Sequence, residues 1–247
     1  MSIHPLAAVS PEARLGVGVR VAAFATVEAD VELGDFCTVA GGAVVKSGVR
    51  AGCHNEFGEH TVIGGAPQHA ARPESIGRVE IGDHNVFREY VTVHRSLKPG
   101  TVTVEDRAFV SGAVAVHQFC RIGRLAMVGG HARVVQDVPP YMLLDGQSGC
   151  VVGLNVVGLR RSGHAPEDIA TLKAAYRTIY RRGLPWKEVL DALAQEFDAA
   201  SVAHLRAFLS GGSRGFAQER RAPPAPTLRL RVPEDEAAIG AFRARAG

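Results

Sequence analysis

The sequence contains few aromatic residues, which make up 6% of its 247 positions. Such a composition excludes a core built around large rings, and the 28 glycines among many small aliphatic residues indicate a narrow, repetitive core. Hydrophobic residues amount to 46% and charged residues to 21%, so a disordered chain is also excluded. The composition therefore predicts a solenoid.

The cysteines lack the CxxC spacing of zinc sites and of thioredoxin-like redox motifs. We therefore expect no metal site and four buried free thiols. The four are Cys37, Cys53, Cys120 and Cys150.

Neither an excess of one charge nor a long apolar run is present. The formal net charge is +3 and the basic residues are scattered, so nucleic acid is not the expected partner. No apolar run approaches the roughly 20 residues of a membrane-spanning helix. The first residues, MSIHPLAAVS, lack the basic start and apolar stretch of a secretory signal. We therefore expect a cytoplasmic protein without stable membrane insertion.

An apolar residue recurs at every sixth position over the first quarter of the chain. A six-residue period fits neither a helix face nor a simple alternating strand, but it suits short strands joined by tight corners. We predict hexapeptide rungs with one aliphatic side chain per rung pointing inward. The register comprises Ile3, Val9, Leu15, Val21, Val27, Leu33, Val39, Val45, Ala51, Phe57 and Ile63.

Glycine often follows the inward residue, and we expect it to supply the backbone freedom that a corner needs. The glycines concerned are Gly16, Gly34, Gly64, Gly82, Gly123 and Gly129.

The register pauses twice, which predicts two loops, over residues 66–78 and 96–102. Between them it resumes at Ile81, Phe87 and Val93, and after them at Val104. Helical patterns begin at Pro166, with proline near the first two starts. We predict a β-helix over residues 1–150, a helical segment over 151–219 that caps the coil stack, and a peripheral Pro-rich, charged extension over 220–247.

Several segments resemble those of the acyl-ACP:UDP-N-acetylglucosamine O-acyltransferases, which begin lipid A biosynthesis. They are VEIGDHNVFREYVTVHR (79–95), AVHQFCRIG (115–123), AMVGG (126–130), VVQDVPPYMLLDGQ (134–147) and GLNVVGLRRSG (153–163). The resemblance implies a left-handed parallel β-helix with three rungs per coil, assembled as a homotrimer. It also implies transfer of an acyl chain from acyl carrier protein to a sugar hydroxyl, at a cleft between subunits and without a further cofactor.

The resemblance assigns roles to individual residues. Gln68, Gln118, Asn155 and Arg161 resemble substrate-contacting residues. His117 resembles the histidine that lines the cleft beside that glutamine. Gly130 resembles the residue that measures acyl chain length.

This chain also departs from the family. Two coils are missing between His94-Arg95 and the AVHQFC rung, and with them the histidine that serves as base and the aspartate that orients it. A valine, Val157, replaces the glutamate of the GLNxxGLxR region, and His69 replaces the aspartate after the first-loop glutamine.

With three rungs per coil, Ile63, Val93 and Val116 share a column, and both loops leave from one face. Successive coils lie about 4.8 Å apart, so His94 is expected directly beneath His117. A thioester-to-hydroxyl transfer needs a base, for which histidine is suited. His117 is the leading candidate, and His94 is the second, as base or as orienting partner.

Two functions remain open. One is an active acyltransferase with a short acyl chain or a different groove, because His117 and Gly130 are separated by less than one coil. The other is an inactive relative that binds acyl carrier protein or a nucleotide sugar as a regulator or scaffold.

Overall fold

The computed structural model describes residues 1–68, 70 and 77–220. The hexapeptide repeats form very short strands, most of them two residues long. The strands of the first coils are β1 (Ser2–Ile3), β2 (Ala8–Val9), β3 (Arg14–Leu15), β4 (Arg20–Val21), β5 (Thr26–Val27), β6 (Glu32–Leu33), β7 (Thr38–Val39), β8 (Val44–Val45), β9 (Val49–Ala51), β10 (Glu56–Phe57) and β11 (Val62–Gly65). Those that follow are β12 (Arg78–Ile81), β13 (Val86–Phe87), β14 (Thr92–His94), β15 (Thr101–Val104), β16 (Phe109–Val110), β17 (Ala115–Val116), β18 (Arg121–Ile122), β19 (Met127–Val128), β20 (Arg133–Val134), β21 (Met142–Leu144) and β22 (Val151–Leu154).

Every third strand belongs to the same sheet. The first sheet has nine strands (β1, β4, β7 and so on to β19, then β21 and β22), the second has seven (β2 to β20) and the third has six (β3 to β18). The pairing is parallel and in register, with Ile3 opposite Val21 and Val21 opposite Val39. The predicted left-handed parallel β-helix with three rungs per coil is confirmed.

Three edges join the sheets, and each is named after the sheet that it follows. The first edge carries Phe24 and Tyr90, the second edge carries His117, and the third edge carries His54 and His84. Neighbouring coils therefore stack equivalent residues. On the third edge, the imidazoles of His54 and His84 lie parallel with ring centroids 4.6 Å apart.

Each rung buries two positions, so the prediction of one inward aliphatic per rung is incomplete. The predicted register is buried from Val21 onward, and the residue two places before each of these positions is buried as well. This second column mixes Val19, Ala25, Val31 and Cys37 with Asn55, Thr61 and Asn85. It has no uniform apolar signature because the space beside the corner admits small and polar side chains.

The expected role of the glycines is wrong except at Gly64. The left-handed backbone conformation lies three residues after the inward position, as at His54 and His84, and of the six predicted glycines only Gly64 has a positive φ, of 83°. The others are needed for close approach. A Cβ at Gly16 or Gly82 would collide with the aspartate side chain of the next coil.

Two buried asparagines hold the third edge together from inside. Asn55 Nδ2 donates to the carbonyls of Gly52 and Gly82, at 2.9 and 2.8 Å. Asn55 Oδ1 accepts from the backbone and side chain of Asn85, and Asn85 Oδ1 accepts from Ala108 N at 2.8 Å. The ladder satisfies backbone groups of the loop-bearing coils that would otherwise be buried without partners.

The C-terminal helices cover the last coils, as predicted. They are α1 (Val156–Arg161), α2 (Pro166–Arg181), α3 (Trp186–Gln195) and α4 (Ala200–Ser210). The Arg121 guanidinium links coil and helix because it donates to Asp137 Oδ2 at 2.8 Å and to Phe208 O at 2.7 Å. The division at residue 150 stays a prediction, and β22 still pairs antiparallel with β21. The extension from residue 221 lies outside the described residues.

The thiol prediction holds for two of the four cysteines. Cys37 and Cys120 are buried, whereas Cys53, on the third edge, and Cys150, in the turn between β21 and β22, are half-buried. Burial raises the pKa of the Cys120 thiol to about 12. In the part of the chain that the structure describes, no helix has the length and apolar character needed to cross a membrane.

The asparagine ladder makes a stability prediction. Asn85→Ala leaves the Ala108 N–H without its acceptor in the core, which is expected to lower the free energy of unfolding by about 1–3 kcal/mol. Urea unfolding measures the change. Exposed Glu12→Ala is the control and should stay within about 0.5 kcal/mol of the wild type. Equal midpoints for the two variants would contradict a stabilising role of the ladder.

Candidate functional site

Two histidines lie one above the other on the second edge. The predicted column is confirmed, since Ile63 pairs with Val93 and Val93 pairs with Val116. His94 and His117 are the next residues after Val93 and Val116, and both are half-buried. Parallel pairing spaces their backbones by about 4.8 Å, so one small substrate group can reach both rings.

Both loops leave from this edge. The first loop joins β11 to β12 and carries Gln68 near its start, with an exposed side chain. His69 and residues 71–76 lie outside the described residues. The second loop joins β14 to β15, and Gln118 Oε1 accepts from Leu97 N in this loop at 2.8 Å. Gln118 therefore anchors the second loop to the coil that carries His117.

The two imidazoles have different polar neighbours. His94 Nδ1 lies 3.3 Å from the carbonyl oxygen of Val116. His117 Nδ1 lies 3.3 Å from Arg214 Nη2 and 3.3 Å from the carbonyl oxygen of Gln118. Among the described residues, no carboxylate lies within ion-pair distance of either ring. Within the part of the chain that the structure describes, no carboxylate therefore fills the place of the aspartate that the resemblance implies.

A partly buried cation follows His94. Burial lowers the pKa of the Arg95 guanidinium, while the carboxylates of Glu28 and Asp30 raise it. Glu28 is itself engaged, because Lys46 Nζ donates to its Oε1 at 2.6 Å, and this hydrogen bond lowers the pKa of Glu28. Arg95 Nε has no hydrogen-bond partner among the described residues. Positive charge near the histidines favours an anionic substrate.

Asn155 and Arg161 lie elsewhere, beside the third edge. Asn155 Nδ2 donates to Leu125 O at 2.9 Å, and its Oδ1 accepts from Gly158 N at 2.9 Å, which caps α1. Asn155 and Arg161 line a cavity of about 460 Å³, with apolar walls from Phe109, Leu125, Met127 and Val157 and a second guanidinium from Arg107. No carboxylate lines this cavity. It suits an anionic group joined to an apolar one.

Gly130 lies on the first edge, apart from both groups. A Cβ built on it would meet Gly112 O only at 3.5 Å, so a side chain could be accommodated there. The predicted site residues therefore occupy three different edges of one chain. The structure brings together His94, His117 and Gln118, and it separates them from Asn155, Arg161 and Gly130.

Three arginines near these groups were missed from the sequence. Arg95 adjoins His94, Arg107 lines the cavity beside Arg161, and Arg214 reaches His117 from the segment after α4. Only the adjacency of Arg95 to His94 was visible in the sequence. Within residues 1–68, 70 and 77–220, no cluster of three or more His, Cys, Asp or Glu side chains could hold a metal ion.

Anchoring of the second loop by Gln118 can be tested by hydrogen exchange. Gln118→Ala removes the acceptor of Leu97 N–H, so exchange of that amide is expected to accelerate by about fivefold, the equivalent of a hydrogen bond worth roughly 1 kcal/mol. Gln136→Ala serves as the control. Unchanged protection of Leu97 in Gln118→Ala would contradict the anchoring role.

Comparison with known proteins agrees with this architecture. A family model described as UDP-N-acetylglucosamine O-acyltransferase, domain 2, matches residues 137–217. The crystal structure of a UDP-N-acetylglucosamine acyltransferase from Bacteroides fragilis matches with a TM-score of 0.59 at 29% identity, covering 87% of this chain and 99% of that chain.

Two curated relatives carry the name acyl-[acyl-carrier-protein]–UDP-N-acetylglucosamine O-acyltransferase. The Synechocystis protein is 34% identical over 217 residues, which cover 73% of this chain and 78% of the relative. The alignment with the Halorhodospira halophila protein spans 253 residues including gaps, at 34% identity. It covers 87% of this chain and 98% of the relative. Because 87% of a 247-residue chain is fewer than 253 residues, that relative has aligned segments that this chain lacks. This chain belongs to the acyl-[acyl-carrier-protein]–UDP-N-acetylglucosamine O-acyltransferase family.

Proposed function

We propose that this protein transfers an acyl group from acyl carrier protein to a hydroxyl of a UDP-amino sugar such as UDP-N-acetylglucosamine, in the manner of lipid A biosynthesis. The observation that carries the proposal is the stacking of His94 and His117 on the edge from which both loops leave. A base and a hydrogen-bond donor in adjacent coils are what acyl transfer from a thioester to an alcohol requires. The donor is the carrier thioester, no further cofactor takes part, and the proposed location is the cytoplasm.

Assembly into a homotrimer is part of the same proposal, and the outer surfaces of the sheets support it. From β5 to β17 the outward residues of the second sheet are small and uncharged, namely Thr26, Val44, Val62, Thr92 and Ala115, and a charge appears only in β20, with Arg133. In the first coils those of the third sheet, Arg14, Glu32 and Arg50, are charged and already paired with one another, as in Arg50 Nε to Glu32 Oε1 at 2.8 Å. The second sheet can therefore be buried against another copy at little electrostatic cost, whereas the third sheet favours solvent.

The upper part of the first sheet supplies the matching surface. Val86, Phe109 and Met127 point outward there and are only half-buried in the single chain. Phe24 and Tyr90 on the first edge, between the two surfaces, are 71% and 62% exposed. A three-fold axis beside this edge would bury both aromatics and pack the first sheet of one copy on the second sheet of the next.

Such packing assembles a composite cleft, defined as the second edge of one copy beside the third edge of the next. His94, His117, Gln68 and Gln118 come from one side, and Asn155 and Arg161 come from the other. The cations of Arg95, Arg107 and Arg161 supply charge for a diphosphate. The residues of the second and third edges, which lie apart in a single chain, would thereby contact the same substrate.

Acyl transfer itself is the first test. A panel of acyl carrier protein thioesters, short to long, is incubated with UDP-N-acetylglucosamine, and the acylated sugar nucleotide is measured. We expect turnover with at least one donor and its loss in Arg161→Ala, with Arg177→Ala on the surface of α2 as the control. No turnover with any donor, together with measurable binding of carrier or nucleotide sugar, would leave the binding protein as the function. The observation that favours this second candidate is that, among the residues with a described structure, no carboxylate lies beside either histidine.

The composite cleft is tested by mixing two inactive chains. In a mixed trimer, the Arg161→Ala chain has an intact second edge and the His117→Ala chain has an intact third edge. A cleft formed by these two edges carries all its groups. Co-expression at equal levels is expected to restore about a quarter of the wild-type rate, because random assembly makes one cleft in four complete. Co-expression of His117→Ala with His117→Ala,Arg161→Ala is the control and stays inactive. Failure of the first mixture to exceed the control would rule out a cleft shared between copies.

A further inference from the structure

The polar neighbours of the two stacked histidines fix which ring nitrogen carries the proton. A backbone carbonyl only accepts hydrogen bonds, so the contact of 3.3 Å between His94 Nδ1 and Val116 O requires a proton on Nδ1. In the neutral ring, Nε2 of His94 then carries a lone pair. Histidine with this nitrogen free is able to take a proton from a substrate.

The neighbours of His117 select the opposite tautomer. A guanidinium only donates, so the contact of 3.3 Å from Arg214 Nη2 places a lone pair on His117 Nδ1 and the proton on Nε2. The carbonyl of Gln118 competes for Nδ1 at 3.3 Å, but the bond from Arg214 is charge-assisted and the stronger of the two. Arg214 is held in place because its Nη2 also donates to Val135 O at 3.0 Å.

The free nitrogen of His94 also has space beside it. A Cβ built on Gly65 would lie 3.3 Å from His94 Cδ2 and 3.7 Å from its Nε2, so the Cδ2–Nε2 side of the ring faces a residue without a side chain. Gly65 ends β11, at the start of the loop that carries Gln68. The missing side chain at Gly65 therefore leaves room beside Nε2 for a substrate hydroxyl.

We propose that His94 is the general base of this site, that His117 is a hydrogen-bond donor through Nε2–H, and that Arg214 is the positioning residue that keeps His117 in that role. The proposal reverses the order expected from the sequence, and it rests on the proposed acyl transfer. The carbonyl of Val116 takes over one duty of the missing aspartate because it fixes the tautomer and orientation of the base. It brings no negative charge, so it orients the ring without the electrostatic contribution that an aspartate would make.

The reaction follows from these assignments. His94 Nε2 removes the proton of the sugar hydroxyl while the oxygen attacks the thioester carbonyl carbon, forming the C–O bond. His117 Nε2–H donates to the oxygen that becomes negative in the tetrahedral intermediate. Collapse breaks the C–S bond, and the departing thiolate takes the proton from His94, which leaves the ester, the thiol and a neutral base.

Glutamine substitutions separate the two roles, because a glutamine amide reproduces the Nε2–H donor of histidine but cannot accept a proton. His117→Gln is expected to retain activity within about tenfold of the wild type, whereas His117→Ala loses about 100-fold or more. His94→Gln and His94→Ala are both expected to lose about 100-fold or more. His4→Gln in the first coil is the control. The reverse pattern, with His94→Gln active and His117→Gln inactive, would overturn the proposal.

Imidazole ¹⁵N chemical shifts read the tautomers without any turnover. Signals are assigned by their loss in His94→Gln and His117→Gln. We expect a protonated Nδ1 in His94 and a protonated Nε2 in His117 at a pH where both rings are neutral. Arg214→Lys should keep the His117 signature and most of the turnover number, and Arg214→Met should move the proton to Nδ1 and lower the turnover number.

The two measurements distinguish the ways in which the idea could fail. Inactive wild type with the expected tautomers would refute acyl transfer and with it the base and donor roles, while leaving the contacts of Arg214 and Val116 established. Active wild type with both rings in one tautomer would overturn the division of roles but not the proposed function.

Discussion

Backbone hydrogen bonds between successive coils are the constraint on which the rest of the structure depends. Strands of two residues have little stability alone, and they persist because each N–H is paired with a carbonyl of the adjacent coil. This pairing fixes every column of side chains, from the inward aliphatics to the stacked rings of His54 and His84. Removing whole coils leaves the columns intact, so a chain shorter than its relatives can keep the same edges and the same sheet surfaces.

The same register determines which groups meet at the site. His94 and His117 come together because Val93 and Val116 are paired, and the Val116 carbonyl reaches His94 for the same reason. Every coil offers backbone carbonyls to the edge, but a carboxylate is present only where the sequence has Asp or Glu. In the proposed site a carbonyl orients the base where the resemblance implies an aspartate, which preserves orientation and loses charge.

The sequence was sufficient for what repeats locally and insufficient for what depends on distant partners. The inward column follows from a six-residue period, and the three-rung coil and the pairing of His94 with His117 follow from that period together with the family resemblance. The second buried column was not predicted because it includes the polar residues Asn55 and Asn85. Their burial is stabilised by the hydrogen bond between their side chains. Arg214 lies far along the chain from His117, so its contact depends on how the segment after α4 returns over the last coils.

A single chain carries the proposed site in separate parts, and this separation follows from the prism shape of the β-helix. A side chain on one edge cannot reach another edge, so groups on different edges meet only through a second copy. The distribution of charge decides how copies can meet: in the first coils the third sheet pairs its charges within the chain, and the second sheet presents none on Thr26, Val44 and Val62. The second edge, with the histidines, borders the second sheet, and the third edge, near Arg161, borders the first sheet, which is proposed to pack against it. Assembly and chemistry therefore depend on the same arrangement of outward residues.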